Sequence, residues 1–133
     1  MNQTLVLCKP DAVERGLVGE ILSRFERKGL TIVAMRLLTI DDELAGRHYA
    51  EHVGKPFYAD LVTFIGRSPA VAIVVEGPED TWQIVRSMMG ATNSAEAAPG
   101  TIRGDLSALF TENLVHGSDS AESASREIAI FFG

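Results

Sequence analysis

Pro69 to Val75, PAVAIVV, contains the longest unbroken apolar run in the chain, Ala70 to Val75. Six residues are far too few to span a bilayer. Rich in valine and isoleucine and free of charge, the run predicts a strand in the interior of a sheet. Working outward from it, Thr31 to Thr39 is apolar through most of its length and predicts a second strand. Thr4 to Cys8 predicts a third, stopped by Lys9-Pro10-Asp11, because proline offers no ladder donor. Leu114-Val115-His116 predicts a short fourth.

Helical patterns lie between these strands. Gly19 to Lys28 places Ile21, Leu22 and Phe25 on one side and is closed by Gly29. Asp41-Asp42-Glu43 opens a helix toward Glu51, Lys55-Pro56 opens another toward Ile65, and Glu79 to Met89 predicts one ending at Gly90. Ala91 to Asn113 carries little periodic signal. Asp119 or Ser120 caps a last helix, with Glu122 at capping-box spacing from Asp119. Ala121, Ala124, Ile128 and Phe132 are its expected apolar stripe, with Glu127 on the flank. With the short middle helices set aside, the order is β-α-β-β-α-β. That order predicts an α+β, ferredoxin-like antiparallel sheet with helices on one face.

The length of 133 residues predicts a single domain, 1–133, able to fold without staples. Eighteen acidic residues against twelve Lys and Arg give a net charge of -6, which disfavours general nucleic-acid binding but leaves room for a small basic pocket. Cys8 is the only cysteine and is read as a small core residue. The start, MNQTLVLCKPDAVERG, lacks the apolar core of a signal peptide, so no membrane association and a cytoplasmic location are expected.

Four groups of residues carry chemistry. His116 stands before Gly117-Ser118, a tight turn with a hydroxyl close by, and Glu127 projects from the same side of the last helix as Ser120. A half-tucked carboxylate there can hold the imidazole in one tautomer and stabilise the positive charge that arises when it acts as a nucleophile. Arg103 lies in PGTIRGD, between Gly100 and Gly104, in a loop with no helical pattern from which a guanidinium can fork onto phosphate. Arg86 sits in the last turn of its helix, with Thr92 just beyond, and Lys9 ends the first strand. No Walker A loop, Rossmann glycine pattern or zinc spacing is present. His48 and His52 are four apart, but Tyr49 occupies the place of the metalloprotease glutamate, and the pair is read as incidental.

Five segments in order, TLVLCKPDAVERGLVGEI, HYAEH, KPFYADLV, PGTIRGD and NLVHGSDSAES, resemble the nucleoside diphosphate kinase family nearly end to end. The resemblance implies transfer of the γ-phosphoryl group of a nucleoside triphosphate to a nucleoside diphosphate, by a ping-pong route through a phosphorylated histidine. By motif match that histidine is His116, attacking through Nδ1, with Glu127 orienting it and Ser118 beside it. Arg86, Thr92 and Arg103 are implied to bind phosphates, and Tyr49 to line the pocket. Lys9 and Asn113 are implied to reach the sugar, with Lys9 also near the γ-phosphoryl. Phe57 is implied to stack on the base with Leu61 near it, which tolerates every base because each has a π-face. The implied cofactor is Mg2+, held mainly by the nucleotide, with Asp119 reaching it through water.

The family also implies self-association, here expected as a hexamer with a tetramer as the alternative. One position departs from its pattern. Ser94 follows Thr92-Asn93 where the family has proline, which is expected to loosen the assembly rather than affect catalysis. The final Phe131-Phe132-Gly133 is expected to dock on the core or on a neighbouring subunit. Two other readings fit the same residues: a nucleotide-binding protein without turnover, and a carrier that passes its phosphoryl group to another protein.

Overall fold

The computed structural model describes residues 2–133. In chain order it contains β1 (Gln3–Cys8), α1 (Pro10–Glu14), α2 (Val18–Arg27), β2 (Thr31–Leu38), α3 (Asp42–His48), α4 (Tyr58–Gly66), β3 (Ala70–Glu76), α5 (Thr81–Met89), α6 (Ile102–Leu106), β4 (Val115–Gly117) and α7 (Ala121–Phe132). Short 3-10 turns cover Ala50–His52 and Ser94–Glu96. The sheet order is β2-β3-β1-β4, with every neighbouring pair antiparallel. The expected ferredoxin-like skeleton is therefore present as β1, α2, β2, β3, α5 and β4. The predicted interior strand lies between β2 and β1, and Ala70 to Val75 are all buried.

Helices cover both faces of the sheet, which corrects the one-faced expectation. Val6, Cys8, Ile73 and Val75 pack against Ile21 and Phe25 of α2 and Val85 and Met89 of α5. On the opposite face Leu5, Leu7 and Ala72 pack with Ala45 of α3, Ile65 of α4 and Phe131 of α7. A strand buried on both sides has no polar face to show, so its sequence does not alternate. Each fully buried leucine, isoleucine or phenylalanine here contributes about 1.5–3 kcal/mol.

Two short helices occupy segments expected to be irregular. Pro10 opens α1 at a position where its missing N–H would have had no partner, so it starts a helix as well as ending a strand. Thr101 caps α6 by accepting from Gly104 N at 2.9 Å. Gly104 is needed there, because a Cβ would lie 1.9 Å from the Ala98 carbonyl oxygen. At α7 the cap is Ser120, which accepts from Ser123 N at 3.0 Å. Asp119 instead accepts from Ser123 Oγ at 2.7 Å, and no Asp119–Glu122 box forms. The buried column of α7 is Ala124, Glu127 and Phe131, so Glu127 lies on the stripe itself and not on its flank. Phe131 docks on the core while Phe132 is half-buried.

Candidate active site

β4 pairs with the end of β1 so that His116 lies opposite Leu7 and Val115 opposite Cys8. Residues opposite one another share a face of the sheet. His116 therefore faces the α3 and α7 side, where Glu127 waits. The His116 Nε2 to Glu127 Oε1 distance is 2.9 Å, and Ser118 Oγ donates to the same oxygen at 2.6 Å. Glu127 is buried and His116 half-exposed. Burial pushes the Glu127 carboxyl up. The hydrogen bond and charge of His116, the Ser118 hydrogen bond and the nearby His48 outweigh it and bring it down to about 2. An ionised carboxylate only accepts, so in the neutral imidazole Nε2 carries the proton and Nδ1 holds the free lone pair.

The segment before His116 is held by two side chains. Leu114 has a φ of 73°, a left-handed conformation that leucine rarely adopts, and its N–H donates to Asp11 Oδ2 at 2.9 Å. Arg103, far from being in a free loop, lies buried in α6. It donates to the carbonyls of Asn113 at 3.2 Å, Gly90 at 2.9 Å and Val115 at 2.7 Å. Burial and the neighbouring Arg86 charge lower its pKa to about 10. Arg86 donates to Gly117 O at 3.0 Å, which places its guanidinium beside the turn after His116.

Lys9, Asn113 and Thr92 form a linked row. Lys9 Nζ donates to Asn113 Oδ1, and Asn113 Nδ2 donates to Thr92 O at 2.8 Å. Lys9 Nζ also sits 5.4 Å from the Phe64 ring centroid. Burial lowers the Lys9 pKa to about 8, against the raising charge of Asp11 and with the lowering charge of Arg103.

On the other side, rings run from His116 to the surface. His48 lies 4.7 Å from His116 and 4.6 Å from Tyr49, Tyr49 lies 6.2 Å from His52, and His52 lies 5.3 Å from Phe57. Phe57 is exposed, and Leu61 follows one turn later on the same side of α4. Burial and the Glu127 charge raise the Tyr49 hydroxyl to about 12.

The expected site residues divide into those joined by direct contacts and those placed around them. His116, Glu127 and Ser118 touch, Arg86 and Arg103 brace the backbone on either side, and Lys9, Asn113 and Thr92 are hydrogen-bonded in series. Tyr49, Phe57 and Leu61 line the ring side, and Asp119 is exposed at the start of α7. Sequence reasoning missed Asp11, which showed no pattern beyond following a proline, and His48. Spacing pairs His48 with His52, yet His48 is buried against His116. Burial, then the His116 charge, push the His48 imidazole down to about 3, so it is neutral at pH 7.

Residues 2–133 match the nucleoside diphosphate kinase family. A nucleoside diphosphate kinase of Nocardioides is 62% identical over 130 residues, 98% of this chain and 96% of its own. That of Thermus thermophilus is 58% identical over 132 residues, 99% of this chain and 96% of its own. The solved halophilic nucleoside diphosphate kinase of Halobacterium salinarum, in complex with CDP, superposes with a TM-score of 0.94 at 50% identity. The match covers 99% of this chain and 88% of that one. A family protein of Babesia bovis gives 0.95 at 45% identity, with the same coverage. The chain belongs to the nucleoside diphosphate kinase family and is an enzyme that transfers phosphoryl groups from nucleoside triphosphates to nucleoside diphosphates.

Proposed function

We propose that His116 is the phosphoryl carrier of a ping-pong exchange within a single domain, residues 1–133. The observation that carries this reading is the Nε2–Glu127 contact at 2.9 Å, which leaves Nδ1 with the free lone pair. In the first half-reaction the Nδ1 lone pair bonds to the γ-phosphorus, and the bond from that phosphorus to the β,γ-bridging oxygen breaks. The nucleoside diphosphate leaves with that electron pair. The imidazole is now cationic, and the Glu127 carboxylate beside it stabilises the charge that has developed. In the second half-reaction a terminal oxygen of another nucleoside diphosphate attacks phosphorus, and the P–N bond returns its pair to Nδ1.

Such a transfer needs alignment and positive charge more than covalent help. Arg86 and Lys9 supply charge at the site. Arg103 adds charge while three of its N–H groups hold the carbonyls of Gly90, Asn113 and Val115, and Thr92 adds a hydroxyl donor. Lys9 and Asn113, already hydrogen-bonded to each other, are set to meet sugar hydroxyls, and Tyr49 lines the pocket. Phe57 stacks on the base with Leu61 beside it, which gives broad base tolerance. Members of the family use a divalent cation, and for this chain we assign Mg2+. Asp119 fits an outer role toward it, because the carboxylate is exposed and Ser123 occupies only Oδ1. A hard cation prefers such oxygens, and when bound to the nucleotide it neutralises phosphate charge.

Self-association is supported by β2, an edge strand whose Val33, Met35 and Leu37 are exposed apolar residues. A bare apolar edge of this kind invites pairing with a second chain. We favour a hexamer over a tetramer. Among the described residues no helix is long and apolar enough to cross a membrane, and we place the enzyme in the cytoplasm.

The test is the intact mass of the protein after brief exposure to Mg-ATP. The expected result is a gain of one phosphoryl group per chain, absent in His116→Ala. A gain that persists in His116→Ala would place the carrier elsewhere.

A further inference from the structure

His48 is 4% exposed, and among the described residues neither of its ring nitrogens has a hydrogen-bond partner. A buried polar group without a partner costs about 1–3 kcal/mol, so this ring points to a partner outside the protein for at least one of its nitrogens. One nitrogen of His48, one of His116 and a carboxylate oxygen of Glu127 all lie within 4.8 Å of one another. Glu127 Oε1 already takes Ser118 and His116, while among the described residues Oε2 has only Arg126, at 3.7 Å.

We propose that His48, His116 and Glu127 form a binding site for a borderline-soft divalent metal ion, of which Zn2+ is the type, in the nucleotide-free enzyme. Two imidazoles and one carboxylate are a known donor set for zinc, with the fourth position left to water. At metal–ligand distances of about 2.0–2.2 Å, tetrahedral ligands lie roughly 3.4 Å apart. The donor atoms, within 4.8 Å of one another, close to that spacing by side-chain rotation as the ion binds. His116 is half-exposed, which leaves a path for the ion and room for the water. Two nitrogen donors disfavour Mg2+, which prefers oxygen ligands, so the site does not compete for the ion carried by the nucleotide.

The consequence for activity rests on His116 being the carrier. The ion takes the place of the proton on His116 Nε2, that proton moves to Nδ1, and the ring is left with no lone pair for phosphoryl transfer, which makes the enzyme reversibly sensitive to zinc.

Binding is read without reference to catalysis. Calorimetry with ZnCl2 and the intact, nucleotide-free protein is expected to give one ion per chain, and Co2+ in its place the intense visible absorption of a four-coordinate site. His48→Phe keeps an aromatic ring between Tyr49 and Phe131 while removing both nitrogens. It is expected to weaken Zn2+ at least about tenfold, since even outer partners of metal ligands are worth 10–100-fold. A measurement on the unaltered protein covers the case in which that variant does not fold. The chain has three histidines, and zinc is expected to move the imidazole NMR signals of His48 and His116 together while His52 stays. Equal affinity in folded His48→Phe, no zinc binding at micromolar concentration, or a shift confined to His52 would each overturn the site. Failure of phosphorylation with zinc binding intact would instead overturn the carrier role and leave the metal site standing.

Discussion

Arg103 brackets Leu114, donating to the carbonyls on either side of it, Asn113 at 3.2 Å and Val115 at 2.7 Å. Leu114 is held at a φ of 73° between them, and this kink carries the chain from Asn113 to His116. The buried guanidinium is thus a structural tie as well as a source of charge. Arg103→Ala strands three carbonyls, and the expected loss is about 3 kcal/mol or more, read as a lower urea midpoint. Arg103→Lys is expected to recover little, because an ammonium cannot fork to three separate carbonyls. A variant of unchanged stability with weaker nucleotide binding would confine Arg103 to the phosphates.

Glu127→Gln keeps the size of the side chain and removes its charge. The expected effect is a fall in the rate of enzyme phosphorylation on the order of 100-fold, with nucleotide affinity nearly unchanged. Rapid-quench measurement of phosphoenzyme formation checks it. The same carboxyl sets an acid limit to stability. Its folded pKa, about 2, lies below the ordinary carboxylate value, so its stabilising contribution is present above about pH 4.5 and is lost as pH falls toward 2. Acid unfolding of Glu127→Gln is expected to be less steep across that window.

Burial lowers the Lys9 pKa to about 8, so kcat/KM is expected to fall above that pH as the pocket loses a charge. The Asp11 carboxylate raises the Lys9 pKa. Asp11→Asn keeps an oxygen that can accept from Leu114 N but removes the charge, and the alkaline limb is expected to move to lower pH. An unmoved limb would assign it to another group.

Ser94 is buried with its hydroxyl unpartnered among the described residues, and Asn93 before it is already extended at φ -80° and ψ 107°. That backbone suits a residue preceding proline. Ser94→Pro is expected to stabilise the chain by about 0.4–1 kcal/mol and to tighten its assembly. Equal melting temperatures and equal dissociation on dilution would contradict both.

Much of this was legible in the chain, for physical reasons. β3 announced itself because an interior strand has no solvated side, and His116 and Arg86 lie on regular elements whose faces can be counted, whereas counting along α7 put Glu127 on the flank of a buried stripe that includes it. The burial of both sheet faces was also written in Leu5-Val6-Leu7-Cys8, a run that does not alternate, and the one-faced expectation passed over it. α6 was not legible. Its five residues include Gly104, and it is held by the Thr101 cap and by Arg103 bonds to Gly90, Asn113 and Val115, distant carbonyls that no local pattern reveals. His48 escaped for a similar reason: its spacing pointed along α3 to His52, while its partners come from β4 and α7.

The most direct test of the account isolates the phosphorylated enzyme free of nucleotide and then adds GDP alone. The prediction is one GTP formed per phosphoryl group, with the protein returning to its original mass and no formation in His116→Ala. GTP appearing only when ATP and GDP are present together would mean direct transfer between bound nucleotides, and His116 would not be the carrier.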